Sequence, residues 1–130
     1  IMLEITLMNE NAQKRGEWEP VLRHSVNLKV REEKSPNPRE VTTFFIADSF
    51  DANTINIWKA ISSVPLESST NRDEFTENVV IMPVNTNELI SLIDKKSQYD
   101  SIITQVRELF INETTHFDLE WRSRFMSSII

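Results

Sequence analysis

Leu3, Ile5 and Leu7 alternate with Glu4 and Thr6, the period of two that a strand with one buried face produces. The same period recurs at Leu22, His24, Val26, Leu28 and Val30, with Arg23, Asn27, Lys29 and Arg31 on the other face, and predicts a long amphipathic second strand. Between them, residues 9–20 are polar, hold the single glycine and end in Glu17-Trp18-Glu19-Pro20, which reads as a loop carrying one large aromatic residue. Ser35-Pro36-Asn37-Pro38 fixes a chain reversal, since each proline sets its own φ and pushes the preceding residue toward an extended conformation. Residues 41–47 (VTTFFIA) are β-branched and aromatic with little alternation, the pattern of a strand buried on both faces at the sheet centre.

Further along, the period lengthens. Asp51 caps a helix in which Ile55, Trp58 and Ile61 recur at three-residue spacing until Pro65. Residues 67–77 are polar and mostly acidic around an isolated Phe75, and read as an exposed loop. Residues 79–82 form a short apolar strand, and Pro83 argues against a fully paired central position for its end. Asn85 and Glu88 have capping-box spacing ahead of Leu89, Ile90 and Ile93, and Lys95-Lys96-Ser97 interrupts that helix. Tyr99, Ile102, Ile103, Val106 and Phe110 give the clearest helical stripe, and Thr115 with Asp118 opens a last helix along Phe117, Trp121, Phe125 and Ile129. The expectation is a single α+β domain over residues 1–130, ordered β-β-β-α-β-α-α-α. Its sheet would be four-stranded, antiparallel or mixed, with three to four helices packed on one face.

Composition narrows the chemistry. The absence of cysteine removes disulfides, thiolate metal sites and cysteine nucleophiles, and one glycine is too few for a phosphate-cradling loop. No apolar run approaches the roughly 20 residues of a membrane span. Ile1 ahead of Met2 reads as an added residue with the natural start at Met2, so a cytoplasmic protein with no membrane partner is expected.

The titratable residues form no convincing reactive centre. His24 shares a face with four apolar residues and reads as a satisfied core or rim histidine. Glu113, His116 and Glu120 have the half-site spacing of a carboxylate-bridged metal centre, but the pattern occurs once where two copies are needed. Glu32-Glu33-Lys34 contains the Glu-x-Lys triplet that metal-dependent nucleases use with an upstream acid, here Glu17 or Glu19, but chance occurrence in a charged turn is the far better explanation. No serine sits in a glycine-flanked elbow. The expectation is therefore no catalytic residue, no cofactor and no metal, hence no enzyme.

Surface charge is what remains. The formal charge is −6, with eight Lys/Arg against nine Asp/Glu through residue 65 and six against eleven beyond it. An acidic surface attracts basic partners. The leading expectation is a non-enzymatic protein-binding domain of inhibitor or immunity type, engaging a basic protein through Trp18, Glu67, Asp73, Glu74 and Glu77. The alternative is a nucleic-acid-binding or regulatory domain that reads phosphates with Arg23, Lys29 and Arg31, with Lys14, Arg15, Lys34 and Arg39 nearby.

Overall fold

The computed structural model describes residues 1–6, 9–111 and 119–130. A parallel three-stranded sheet has the order β1 (Met2–Ile5), β2 (Thr42–Ile46), β5 (Val80–Val84), and a separate antiparallel hairpin pairs β3 (Leu66–Glu67) with β4 (Phe75–Thr76). Among the described residues six α-helical segments accompany them: α1 (Glu10–Ala12), α2 (Trp18–Glu33), α3 (Ala52–Ala60), α4 (Thr86–Asp94), α5 (Tyr99–Ile111) and α6 (Trp121–Ile129). A π-helical turn, Gln13–Glu17, joins α1 to α2, and a 3₁₀ turn, Lys96–Gln98, separates α4 from α5 at the Lys95-Lys96-Ser97 interruption.

The expected four-stranded sheet is thus corrected to three parallel strands and a small hairpin, and the expected second strand is helix α2. Its buried residues are Val21, Ser25, Val26 and Val30, a spacing that only a 3.6-residue period brings to one face. Leu22, Val26 and Val30 satisfy both periods, which is why alternation misled. The remaining positions decide for helix. Arg23, Leu28, Lys29, Arg31, Glu32 and Glu33 are good helix formers, and Pro20 comes just after the π-helical turn, where the i to i−4 hydrogen-bond ladder is already interrupted. Trp18 therefore lies within a continuous helical run rather than in a loop.

Recasting that segment changes the topology. Parallel neighbours require a crossover, and α2 carries the chain from β1 back to the start of β2. The register is Leu3 to Phe44, Glu4 to Phe45 and Ile5 to Ile46, and on the other side Thr42 to Val80 through Ile46 to Val84. β2 is central, as its composition predicts. β5 lies at an edge, where Pro83 can be accommodated within the strand.

Helices cover both faces of the sheet, not one. Phe45, Ala47, Val79 and Ile81 pack with Val21, Val26 and Val30 of α2 and with Trp58 of α3. Phe44, Ile46, Val80, Met82 and Val84 pack on the opposite side with Ile102, Val106 and Phe110 of α5 and Trp121, Met126 and Ile129 of α6. Trp58 meets Phe45 edge-on at 5.0 Å, and its Nε1 donates to the Trp18 carbonyl oxygen at 3.2 Å, so α3 and the start of α2 are tied at one point. Asp51 caps α3 and the Asn85–Glu88 capping box opens α4 as the sequence predicts. The expected helix start at Thr115 and Asp118, with Phe117, lies outside the described residues, as does Leu7 of the first strand.

Candidate functional site

One edge of the sheet is β1, and Glu4 sits within it beside Phe45. Adjacent residues of parallel strands share a face, so Glu4 is on the side that packs against α2. There its Oε1 lies 2.9 Å from Nδ1 of His24, with the Glu4 side chain 24% exposed and that of His24 50% exposed. A carboxylate only accepts, so Nδ1 carries the proton and Nε2 is left as the acceptor nitrogen of the neutral ring. The residue after His24 fixes the helix over the sheet: Ser25 Oγ lies 2.8 Å from Thr43 Oγ1 and donates to the Val21 carbonyl oxygen. His24 is thus a rim residue, not a core one, and its ring is satisfied by Glu4 at an edge of the sheet.

His24 also lines a cleft of about 660 Å³ between β1, α2 and the tip of the β3–β4 hairpin. One stripe of α2 and the turn after it supply His24, Asn27, Leu28, Arg31, Lys34 and Ser35, residues spaced three, four and seven apart and so stacked along one helix side. Thr70 and Asn71 close the far wall. In a chain of net charge −6, no acidic side chain lines this cleft, whereas His24, Arg31 and Lys34 do. Electrostatically it suits an anion.

Three side chains of α2 and the turn after it hold the hairpin wall. Asn27 accepts from the Ser69 backbone N–H at 3.0 Å and from Ser68 Oγ at 3.2 Å, and donates to Ser69 Oγ at 2.7 Å. Lys34 pairs with Glu74 on the same hairpin. Lys29 donates to Glu33 and to Thr76 Oγ1, a further tie between α2 and β4.

The residues expected to form an acidic docking surface are distributed differently. Glu67, Asp73 and Glu74 lie on the hairpin, where Glu67 Oε2 accepts from the Asp73 N–H at 3.2 Å, and Asp73 takes a positive φ of 67°. That carboxylate and the one of Glu74 are engaged within the fold. Glu77 is exposed just beyond β4, and Trp18 stands at the first position of α2. The expected basic strand face is dispersed because the segment is a helix: Arg23 pairs with Glu19, Lys29 turns to the hairpin, Arg39 pairs with Glu32, and Arg31 alone of the three phosphate-reading candidates lines the cleft.

The Glu-x-Lys triplet lies at the end of α2 and in the turn after it, not at a strand end. Glu32 is held by Arg39, whose hydrogen bond keeps its carboxyl below the ordinary value. For Glu33 burial pushes upward, but hydrogen bonds from Lys29 and Thr76 outweigh it and the net direction is down. Glu113 and His116 lie outside the described residues. Phosphodiester-cleaving enzymes commonly use divalent ions held by several carboxylates. Among the described residues no group of three or more His, Asp or Glu side chains could hold such an ion, so Glu4 and His24 do not by themselves make a metal site. Sequence reasoning missed Glu4, Asn27, Ser35 and Asn71 as cleft-associated residues, because their relation depends on α2 being a helix.

The structure is thus a parallel sheet covered on both faces, with a cleft at one edge to which Arg31 and Lys34 contribute. Comparison with known families makes the class specific: residues 1–92 match the family described as AlwI restriction endonuclease. The match covers about seven-tenths of the chain, and the chain belongs to that family. No curated protein matches it. Membership in a family of DNA-cleaving enzymes overturns the expectation of a non-enzymatic inhibitor or immunity-type domain directed at a basic protein, and favours nucleic acid over protein as the partner. No local motif in the sequence announces such an activity, and the Glu4–His24 contact arises only between a strand and a helix. No helix among the described residues is long and apolar enough to cross a membrane.

Proposed function

We propose that this chain cleaves DNA, with the Glu4–His24 pair at the centre of reaction and the adjoining cleft as the seat of the sugar–phosphate backbone. The observation that carries the reading is the 2.9 Å Glu4–His24 contact at a cleft with cationic and no acidic lining, inside the matched residues. On this reading water attacks the phosphorus atom and His24 Nε2 takes its proton. The P–O bond to the sugar breaks, and the departing oxygen is protonated from solvent. Glu4 keeps the ring in the required tautomer and stabilises the imidazolium that forms. Arg31 and Lys34 offset the charge of the phosphates held in the cleft. The chain would do this work in the cytoplasm, beside the DNA it cuts.

The test is cleavage of duplex DNA by the protein and by its Glu4→Gln and His24→Ala variants, with divalent ions supplied. Loss of cleavage by about a hundredfold or more in both variants, with unchanged thermal unfolding, supports the reading. Wild-type activity in both variants overturns the assigned pair.

A further inference from the structure

Arg31 and Ser35 stand at the far end of the cleft from His24, and neither is used by the reactive pair. Arg31 is exposed and makes no ion pair with a described residue, so its guanidinium is available to an incoming anion. The Ser35 hydroxyl is buried and has no hydrogen-bond partner, a state that a ligand oxygen would relieve. Thr70 and Asn71 line the same cleft from the hairpin that Asn27 holds in place. An exposed guanidinium and an unsatisfied hydroxyl in one cleft are donors of the kind a phosphate diester accepts from.

We propose that this end of the cleft is a second phosphate subsite, holding a phosphate of the bound DNA strand one or two nucleotides away from the one cut beside His24. The distance follows from the helix. Arg31 is seven residues beyond His24 on α2, about 10 Å along the axis at 1.5 Å per residue. The backbone of a DNA strand winds about the duplex axis, so its consecutive phosphates stand farther apart than the axial rise, and a strand lying along α2 brings its first or second phosphate from the cut to Arg31. The inference rests on the proposed cleavage at Glu4–His24 and adds to it where the uncut part of the strand is gripped. Such a grip sets the register of the cut without reading bases.

The experiment uses duplexes in which single phosphates around the cut position are replaced one at a time by neutral methylphosphonates. Affinity is measured for the wild-type protein, Arg31→Ala and Ser35→Ala at several salt concentrations. The expected result is a weakening of about tenfold at one phosphate, one or two nucleotides from the cut. That position-specific loss disappears in Arg31→Ala, whose overall salt slope falls by about one. Ser35→Ala shows a smaller loss at the same position with no change in slope. If the wild-type protein cuts DNA but no phosphate near that spacing matters, or Arg31→Ala responds to neutralisation as the wild type does, the second subsite is wrong and the cleavage reading stands. If the wild-type protein neither binds nor cuts DNA, both fall.

Discussion

Ser25 Oγ and Thr43 Oγ1 lie 2.8 Å apart where α2 crosses the central strand, and both residues are almost wholly enclosed by apolar neighbours. Ser25 spends its own proton on the Val21 carbonyl oxygen, so the Thr43 hydroxyl donates to Ser25. The contact sits one residue from His24 and two positions along β2 from Phe45, the neighbour of Glu4.

Removing one partner strands the other. Ser25→Ala should cost about 1–3 kcal/mol of unfolding free energy, because the Thr43 hydroxyl is left buried without an acceptor. The Ser25→Ala, Thr43→Val double variant should recover most of that loss, since both polar groups then disappear together. Denaturant titration of the three proteins checks it; additive losses in the double variant would show that the two hydroxyls are not coupled.

Asn27 governs the hairpin wall of the cleft. In Asn27→Ala the Ser69 N–H loses its acceptor, and a net hydrogen bond of about 1 kcal/mol corresponds to roughly fivefold faster amide exchange there. Exchange in β2 and β5, which the substitution does not touch, should be unchanged. Hydrogen exchange resolved by residue measures both, and equal rates at Ser69 in the two proteins would remove Asn27 from this role.

The Lys29–Glu33–Thr76 cluster ties α2 to β4 in a pH-dependent way. The Glu33 carboxyl in the folded chain titrates below its ordinary value of 4.5, so its contribution to stability is present above that value and is lost as pH falls through the lower, folded value. Its side chain is 46% exposed and screened, so the contribution is about 0.5 kcal/mol. Thermal unfolding of Lys29→Met should therefore show a shallower fall in stability than the wild type between pH 5 and about pH 3. Parallel curves would mean that Glu33 gains nothing from this contact.

Legibility in the sequence divided along one line. Elements specified by local chemistry were readable: the Asp51 cap, the Asn85–Glu88 capping box, the apolar run of β2, and the edge position signalled by Pro83. The segment around Val26 was not, because Leu22, Val26 and Val30 fit strand and helix periods alike. Its length was the overlooked arbiter, since a ten-residue periodic run suits a helix better than a strand. That single misreading put an antiparallel or mixed sheet in place of the parallel one and kept the candidate cleft from view. On a strand, His24 and Arg31 fall on opposite faces; on a helix they share a cleft. The Glu4–His24 contact joins residues twenty apart through a strand and a helix, and no spacing rule encodes it.

The central claim is that Glu4 serves the reaction by orienting His24, and the most direct measurement is the single-turnover rate of cutting of prebound duplex DNA in the wild type, Glu4→Gln, His24→Ala and the double variant. The account predicts a loss of about a hundredfold or more in each single variant and little further loss in the double, as for groups that act as a unit. Losses that multiply in the double variant, or single variants that cut at the wild-type rate, would contradict it.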